Sequence, residues 1–479
     1  MSRPLRAAAG LLLAAAAVLG GWWWLRGRGP RPDIVVLLWD TTRADRLSAY
    51  GYARDTTPWL KDLAARGVLY EQCRAPAPWT VPSHASLFTG LLPRHHGATA
   101  LDSQLAPSHR TLAERLQEAG YDTVLVTNNA LVGRENGLDQ GFATFRLVQD
   151  PGTKEPSADL TVDVVAEVLA ARKADPGRAR RPLFLFVNLL EPHLPYDPPA
   201  ALERPWRPEG ATEAEVREAK QVQFPRDMEH NLRTRPLGPG TLAILPGLYD
   251  AEILRMDAAC ARMEKVLAAA GVLAPGSGGI LVVTADHGEN LGDHGLLDHK
   301  LSVADRLLRI PLVVRWPGRL EGGGRVKEQV RLQDLFPTLL EAGGVPPGPG
   351  EAPHAASLLD PRLDGRAQVS EFPAPLSFVA SMRTMPAFAG LPDDVYAPMH
   401  VSLLAATAPP AGGRRLKWER RTRVAFDGTT APLGESLFDL EADPGEDRDL
   451  LAAPVVSLQD VEEAKRLARI ADDWTAPPK

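Results

Sequence analysis

The chain has 479 residues, 44% of them hydrophobic, and a formal net charge of −6. This composition supports a large buried core and lacks the basic surface that nucleic-acid binding requires, so nucleic acid is excluded as a partner. The two cysteines, Cys73 and Cys260, do not have the spacing of metal ligands. One disulfide between them stays open, and the simpler interpretation is two small buried apolar residues.

The N-terminal segment has the features of a membrane anchor. Arg3 and Arg6 precede an uncharged stretch over residues 7–25, which Trp22, Trp23 and Trp24 close. Its length approaches the roughly 20 residues that a helix needs to span a bilayer, and tryptophans favour the membrane interface. We predict that residues 1–32 form an uncleaved anchor and a linker, with a cleaved signal peptide as the alternative. Either one places the rest of the chain outside the cytoplasm: the anchor would hold it in the cell envelope, and a cleaved signal would leave it secreted.

Apolar runs and helical signals alternate along the following residues. Apolar, β-branched runs predict buried strands at residues 34–39, 123–126, 183–190, 280–284 and 311–315. Capping signals and helical spacing predict helices at residues 58–66, 112–119, 158–173 and 251–271. The polar, proline-rich residues 198–240 are typical of an irregular surface insertion.

The alternation predicts an α/β fold in which a large mixed, mostly parallel sheet is flanked by helices. We assign residues 33–366 to this domain. From residue 367 the apolar runs become shorter and Pro and Gly more frequent. Residues 367–479 are therefore predicted to form a small C-terminal antiparallel α+β subdomain.

Carboxylates and imidazoles follow three of the predicted strands. Asp40 follows the first, Glu191 and His193 follow another, and Asp286 and His287 follow a third. Ligands of open α/β sheets bind at the carboxyl edge of the strands. We therefore expect these side chains to converge at one edge.

The segment from Ala77 to Gly90 predicts a helix that begins near Pro82. Thr80 then lies just before the helix amino terminus, where free N–H groups and the helix dipole favour an anion such as sulfate or phosphate. An ordinary N-cap threonine would give the same pattern, so this segment by itself does not establish a site.

The motifs resemble, in order, those of the sulfatases in the alkaline phosphatase superfamily. The family pattern C/S-x-P-S-R followed by T-G corresponds to T-V-P-S-H from Thr80, followed by Thr89-Gly90. Further matches are D-T-T-R-A-D-R-L-S-A-Y-G-Y at 40–52, E-P-H-L-P-Y at 191–196, T-A-D-H-G-E-N-L-G-D-H-G at 284–295 and L-F-D-L at 437–440. The resemblance implies an alkaline-phosphatase-like fold and metal-dependent hydrolysis of sulfate or phosphate esters.

The resemblance assigns Asp40, Asp286 and His287 as metal ligands. Carboxylate ligands make Ca²⁺ or Mg²⁺ the first expectation, and the imidazole leaves Mn²⁺ or Zn²⁺ open. The family often has a second aspartate beside the first, but Thr41 stands at that place here. The predicted set therefore carries one negative charge fewer than usual.

The resemblance also implies the catalytic roles. Thr80 takes the position of the nucleophile, and His193 that of the group that protonates the leaving oxygen. The cationic position that holds an anion oxygen corresponds to Lys300 or His299, and the sequence leaves both open. We assign His193, Lys300 and Asn128 to substrate binding.

Three departures from the family pattern point toward phosphoryl chemistry. Sulfatases use a formylglycine made from Cys or Ser, which Thr80 cannot form, so no formylglycine is expected. His84 stands in place of the motif arginine, and we retain it as a catalytic residue. Asn128 and Asn129 stand near the place where many sulfatases have a lysine and a histidine. The usual cationic cradle for sulfate is therefore incomplete.

A second metal held by Glu191, His193 and His299 is one alternative way to replace these cations. The main prediction is a metal-dependent hydrolase that forms a covalent intermediate on Thr80 in a membrane-anchored, exported protein. Two other functions remain open. One is a transferase that moves a phospho-headgroup onto an envelope glycan or lipid, and the other is a non-catalytic sulfatase-like binding protein.

Overall fold

The computed structural model describes residues 31–99, 103–149, 157–363, 365–409 and 413–476. The strands are β1 (Ile34–Trp39), β2 (Val68–Arg74), β3 (Asp122–Thr127), β4 (Thr144–Leu147), β5 (Leu183–Leu189), β6 (Ile280–Ala285), β7 (Asn290–Leu291), β8 (Leu297–Asp298), β9 (Arg309–Ile310), β10 (Leu312–Arg315), β11 (Gly324–Arg331), β12 (Gln368–Phe372), β13 (Val401–Thr407), β14 (Leu416–Val424) and β15 (Thr430–Asp439). The α-helices are α1 (Pro58–Arg66), α2 (Thr80–Thr89), α3 (Pro93–His96), α4 (Leu112–Glu118), α5 (Ala158–Ala174), α6 (Pro176–Ala179), α7 (Ala200–Glu203), α8 (Glu213–Lys220), α9 (Arg226–Asn231), α10 (Pro239–Ala269), α11 (Asp305–Leu308), α12 (Leu335–Ala342), α13 (Leu376–Met382) and α14 (Leu458–Thr475).

The predicted anchor over residues 7–25 lies outside the described residues. Within the ranges above, no helix is both long enough and apolar enough to cross a membrane.

The main sheet has nine strands within the described residues, in the order β11-β2-β10-β6-β1-β5-β3-β4, with β9 pairing β2. The pairs β6-β1, β1-β5, β5-β3, β3-β4 and β11-β2 are parallel. Strand β10 runs antiparallel to both of its neighbours. The predicted α/β architecture with a mixed, mostly parallel sheet is therefore confirmed.

The central strand β1 is buried on both faces, which explains its continuous apolar sequence. Val35, Leu37 and Trp39 pack on the face covered by α1, α5 and α10. The residues between them pack on the other face, against α2, α4 and α12. Successive side chains of a strand point to opposite faces, so a strand between two helical layers needs apolar residues at every position.

The neighbouring strands end level with one another. Trp39 pairs with Leu189 on one side and with Ala285 on the other. Thr127, the last residue of β3, pairs with Asn188. The residues that follow these four strands therefore emerge at one edge of the sheet, as the sequence predicted.

Two predicted elements require correction. Residues 198–240 are not irregular, because they contain α7, α8 and α9, and α8 begins with a capping box between Thr212 and Glu215. Such short helices are stabilised by packing against the rest of the chain, which periodicity does not reveal. Helix α10 begins at Pro239 instead of residue 251, with Pro246 inside it. An internal proline usually interrupts a helix, so the predicted helix began only after Pro246.

Strand β2 was not predicted at all, because Glu71, Gln72 and Arg74 interrupt its apolar run. It pairs with β10, β11 and β9 and is part of the mixed half of the sheet. Cys73 within it, like Cys260 in α10, is a buried free thiol.

A second sheet follows the first and is antiparallel throughout its described order, β12-β13-β14-β15. Helix α14 packs on it through Leu467 and Ala471, against Trp418 and Leu437. The predicted small antiparallel C-terminal unit is thus confirmed. The boundary at residue 367 stays a prediction, and the second sheet begins at Gln368.

Candidate functional site

Asp40, Asp286 and His287 form a buried group at the carboxyl edge of the sheet. Asp40 follows β1 and the other two follow β6, and one ligand atom from each lies within 4.8 Å of the others. All three side chains are completely buried. Asp40 Oδ1, Asp286 Oδ2 and His287 Nε2 have no hydrogen-bond partner among the described residues. Unpartnered buried polar atoms are costly, and a divalent cation would satisfy all three, so these residues fit a metal.

The electrostatics of this group show the same need for a cation. Although burial disfavours the charge of Asp286, the adjacent His287 lowers the pKa of its carboxyl to about 2. The two carboxylates in turn raise the pKa of His287 to about 9 against the effect of burial. Burial and the charge of Asp286 raise the pKa of Asp40 well above its usual value. In the absence of a metal, protons on His287 and Asp40 thus offset the negative charge of the carboxylates.

A second layer of contacts holds the ligands in place. Asn129 Nδ2 donates to Asp40 Oδ2 at 2.7 Å, and the Thr41 amide donates to Asp286 Oδ1 at 3.1 Å. The Tyr249 hydroxyl donates to the Thr41 carbonyl at 2.7 Å. Thr41 has a φ of 51°, a left-handed conformation that is rare outside glycine, and its buried Oγ1 lacks a partner among the described residues. Strain of this kind persists where the surroundings impose it, often at functional sites.

Thr80 is the first residue of α2, one position further into the helix than predicted. Its side chain is nearly buried at the helix amino terminus, and Trp79 is the N-cap residue. The first N–H groups of a helix have no partner inside it, and the dipole there is positive. The Thr80 position therefore suits a hydroxyl that attacks an anionic ester.

His84 lies one turn further along α2 and is completely buried. Its Nδ1 donates to the Thr80 carbonyl at 2.8 Å and lies 3.6 Å from Asp286 Oδ2, while Asn188 Nδ2 donates to its Nε2 at 3.3 Å. Burial lowers the pKa of this imidazole, so the ring is neutral near pH 7. His84 therefore ties the Thr80 helix to a metal ligand, and does not replace the positive charge of the family arginine.

His193 and His299 meet at their Nε2 atoms, 3.2 Å apart. His193 Nδ1 donates to the Leu194 carbonyl at 2.6 Å, and His299 Nδ1 donates to the Pro78 carbonyl at 3.0 Å. Burial lowers the pKa of both rings, that of His299 to about 4. The ring of His299 lies 4.4 Å from that of His287. The imidazole pair is therefore adjacent to the first ligand group.

The ammonium of Lys300 is engaged by carboxylates. Its buried ammonium contacts the carboxylate of Asp298 and lies 3.4 Å from Asp227 Oδ2. Burial opposes the charge, but these carboxylates raise the pKa of Lys300 above its usual value. Of the two candidates for the position near the substrate, His299 contacts His193, and Lys300 contacts the carboxylates of Asp298 and Asp227. Substrate binding by Lys300 stays a prediction without geometric support.

The side chain of Asn128 is held by hydrogen bonds within the protein and is not free to contact a substrate. Its Nδ2 donates to Glu191 Oε2 at 2.9 Å and its Oδ1 accepts from the Leu190 amide at 2.6 Å. Both ends of the side chain are engaged, so the geometry does not favour the predicted contact with substrate. Asn129, its neighbour, faces the metal-ligand group instead.

Of the alternative second metal set, His193 and His299 come together, and Glu191 is engaged elsewhere. Glu191 binds Asn128 and accepts from the Ala158 amide at the start of α5, at 2.6 Å. Asp298 takes its place beside the imidazole pair, with Oδ1 at 3.0 Å from His299 Nε2. Sequence reasoning missed Asp298, although its position directly before His299 was an available signal.

The comparisons with known proteins agree with this geometry. The sulfatase family model matches residues 32–345. An arylsulfatase of Clostridium perfringens is 24% identical over 365 residues, covering 65% of this chain and 74% of that protein. The multifunctional alkaline phosphatase superfamily protein PehA of Trinickia caryophylli is 24% identical over 501 residues, covering 88% and 92%. The crystal structure of a phosphonate monoester hydrolase of Agrobacterium radiobacter superposes with a TM-score of 0.67 at 22% identity, covering 93% and 96%.

The family model spans well over half of the chain, and the structure brings Asp40, Asp286 and His287 from two of the motifs together at one sheet edge. Members of the family generally depend on a divalent metal. The chain therefore belongs to the sulfatase family and is a hydrolase of sulfate or phosphate esters.

Proposed function

We propose that this hydrolase acts on phosphate or phosphonate esters, with Thr80 as the nucleophile. One observation carries the proposal. A threonine, not a formylglycine precursor, is the first residue of α2 at the nucleophile position of the family motif. The substrate would be bound between this helix terminus and the group Asp40, Asp286 and His287.

Two features of the site support phosphoryl chemistry over sulfuryl chemistry. A formylglycine hydrate has a second hydroxyl that expels sulfate, and a threonine ester has none. His84 is neutral and engaged with Thr80 and Asn188, so the positive charge of the family arginine is missing from this place. A threonine ester must instead be resolved by water attacking the transferred group, which is usual for phosphoryl transfer.

The residues of the chain support a two-step reaction. A divalent cation held by Asp40, Asp286 and His287 would polarise the substrate and lower the pKa of a hydroxyl beside it. The Thr80 hydroxyl loses its proton to water as its oxygen forms a bond to phosphorus, and the ester oxygen leaves with the bonding electrons and takes up a proton from water. Water then cleaves the Thr80 ester, releasing the phosphorus acid and restoring the hydroxyl. His193 and His299 are the groups assigned to the leaving oxygen.

The test is turnover of phosphate monoesters, phosphate diesters, phosphonate monoesters and aryl sulfates, each with Mg²⁺, Mn²⁺, Ca²⁺ and Zn²⁺. We expect the phosphorus esters to be preferred, Thr80→Ser to retain activity and Thr80→Ala to lose it. Thr89→Ala is the matched control, because it removes a threonine hydroxyl from the other end of α2. That hydroxyl donates to the Ala85 carbonyl. Acid quenching followed by mass spectrometry should find a phosphoryl group on the peptide that contains Thr80.

Two results would overturn the proposal. Equal turnover by wild type and Thr80→Ala would remove Thr80 as nucleophile. Faster turnover of aryl sulfates than of every phosphorus ester would show that the threonine does not redirect the chemistry. Product analysis with an added alcohol separates hydrolysis from transfer, because a transferase would form a new ester.

We also propose that the N-terminal segment anchors the enzyme in a membrane with the catalytic domain outside the cytoplasm. The support is the sequence of residues 7–25, an uncharged stretch closed by three tryptophans. Fractionation of cells that express the full chain, compared with a variant lacking residues 1–30, tests this. We expect the full chain in membranes and accessible to external protease, and recovery of both proteins in the cytosolic fraction would contradict it.

A further inference from the structure

We propose that His193, Asp298 and His299 form a second metal site, for a divalent transition metal such as Zn²⁺ or Mn²⁺. This inference rests on the proposed function, because it specifies how the same centre would act on the leaving oxygen. One ligand atom from each residue lies within 4.8 Å of the others, as in the first group. The two groups are adjacent, because the rings of His287 and His299 are 4.4 Å apart.

The hydrogen bonds of the two rings determine where their lone pairs lie. A carbonyl oxygen can only accept, so the Nδ1 atoms that contact the Leu194 and Pro78 carbonyls must carry hydrogen. In a neutral imidazole the Nε2 atom then has a lone pair and no hydrogen. The two Nε2 atoms, 3.2 Å apart, therefore present lone pairs to each other. This arrangement requires something positive between them, either an extra proton or a cation.

The distances favour a cation with nitrogen ligands. Zinc–nitrogen bonds of about 2.0–2.1 Å at a tetrahedral angle place two ligand nitrogens about 3.3 Å apart. The observed separation of the Nε2 atoms is 3.2 Å. Asp298 Oδ1 lies 3.0 Å from His299 Nε2 and supplies the third atom. Two imidazoles and one carboxylate make a set typical of catalytic zinc sites, which keep an open position for water or substrate.

The second contacts of the rings also match a metal site. Histidine ligands usually donate their other ring N–H to a carbonyl or a carboxylate, which fixes the orientation of the ring. His193 and His299 both do so. The first group has the same feature, because His287 Nδ1 donates to the Gly288 carbonyl at 3.0 Å.

The charges around the imidazole pair leave room for a dication. Asp298 and Asp227 share one ammonium, that of Lys300. Glu289, whose electrostatic neighbours include Asp298 and Lys300, is completely buried, and neither of its oxygens has a partner among the described residues. Asp298 has a φ of 64°, so its carboxylate is held by a strained backbone. A divalent ion would balance three ionised carboxyl groups against one ammonium.

A cation at this place changes the part played by His193. As a ligand through Nε2, His193 does not donate a proton. The leaving oxygen would depart as an alkoxide beside the second cation and take its proton from water afterwards, as in two-metal displacement. His193 would then not be the proton donor that the family resemblance implies.

Metal content is the direct test, measured without substrate. The full-length protein is stripped of metal, loaded with excess Zn²⁺ or Mn²⁺, freed of unbound metal and analysed by mass spectrometry of the elements. We expect two equivalents per chain in wild type, and one in His299→Ala and in His193→Ala. Asp286→Asn should also retain one. His109→Ala, a histidine outside both groups, is the control and should keep two.

A second measurement covers variants that do not fold. Manganese-loaded wild type should give the electron paramagnetic resonance spectrum of two coupled ions, which needs no substitution. One equivalent in wild type, with an uncoupled spectrum, would show that a proton joins the two rings and would overturn the proposal. Two equivalents in a folded His299→Ala would also overturn it, because the second metal would lie elsewhere. Thr80→Ala should keep both metals, so failure of the nucleophile assignment is distinguishable from failure of this site.

Discussion

The two ligand groups at the carboxyl edge of the sheet are built in different ways. Asp40, Asp286 and His287 directly follow β1 and β6, which are hydrogen-bonded neighbours that end in register. His193, Asp298 and His299 lie beyond the main-sheet strands, and the two histidines are 106 residues apart in the chain. The first group is positioned by the sheet itself. The second depends on side-chain and carbonyl contacts contributed by several loops.

This difference affects how stable the geometry of each group is and how well it tolerates substitutions. Strand register places the first group wherever the sheet forms, so its geometry is as stable as the core. The second group requires the Pro78 carbonyl, the Leu194 carbonyl and the Lys300–Asp298 pair to be in place together. We therefore expect the first group to carry the larger share of catalysis and the second to be easier to disturb.

The largest effect should come from the first group. Asp286→Asn removes a ligand and a negative charge, and we expect turnover of the best phosphorus ester to fall by about a thousandfold, the upper range for losing one preorganised electrostatic group. Steady-state kinetics at saturating metal measures this. Asp62→Asn, an exposed carboxylate in α1, should be unaffected. Turnover near that of wild type in Asp286→Asn would contradict the expectation that the first group carries the larger share of catalysis.

A smaller loss is expected from the second group. His299→Ala should lower kcat by about a hundredfold, because it removes a ligand of the second cation, and losing one preorganised electrostatic group costs at least about 10²-fold. Esters with good leaving groups, such as nitrophenyl esters, need less help and should lose less. The comparison would be reversed if His299→Ala were more harmful than Asp286→Asn on every ester.

The two neighbouring asparagines offer a matched pair. Asn129→Ala removes a hydrogen bond to Asp40, and loss of such a supporting partner weakens metal binding by about 10–100-fold. Asn128→Ala removes the partners of Glu191 Oε2 and of the Leu190 amide, so it should lower the free energy of unfolding by about 1–3 kcal/mol and leave metal affinity nearly unchanged.

Metal titration calorimetry and chemical denaturation of both asparagine variants separate the two effects. If Asn128→Ala weakened metal binding more than Asn129→Ala, the bracing role assigned to Asn128 would be incorrect. The result would then support the role in substrate binding that the sequence analysis assigned to Asn128.

The smallest effect is a pH dependence that belongs to the first group. In the metal-free protein the carboxylates raise the pKa of His287 to about 9, and a metal requires the neutral ring. Below about pH 9 binding must therefore release at least one proton, and affinity should rise about tenfold per pH unit up to that value. Asp286, with a pKa of about 2, stays ionised and adds no dependence in this range.

Calorimetry in buffers of different ionisation enthalpy measures the released proton directly. We expect His287→Asn to bind more weakly and with a flatter pH profile. Affinity of the wild type that is constant from about pH 6 to about pH 8 would show that His287 is already neutral in the metal-free protein.

Much of the fold and of the first group could be predicted from sequence. A strand between two helical layers must be apolar at every position, so β1, β5 and β6 were visible as uninterrupted runs. Parallel neighbours end at one edge, so the residues directly after them were expected to meet. The helix of Thr80 was visible from Pro82 in its first turn and Gly90 directly after its last residue.

The elements that sequence did not reveal are those held by long-range packing. Strand β2 carries charged residues, and the short helices within residues 198–240 lack a clear period. Asp227, which approaches Lys300, lies in that segment. Local pattern carries little information about such elements, because their stability comes from contacts with distant parts of the chain.

Sequence by itself thus determined the family motifs, the carboxyl edge and the strand-borne residues Asp40, Asp286 and His287. Only the tertiary structure showed that His299 contacts His193, that Asn129 contacts Asp40, and that Asp298 lies beside the imidazole pair. The reason is physical. The two-residue period of a strand and the register of its neighbours specify direction and depth, whereas a loop side chain is directed by whichever distant carbonyl, carboxylate or amide it meets.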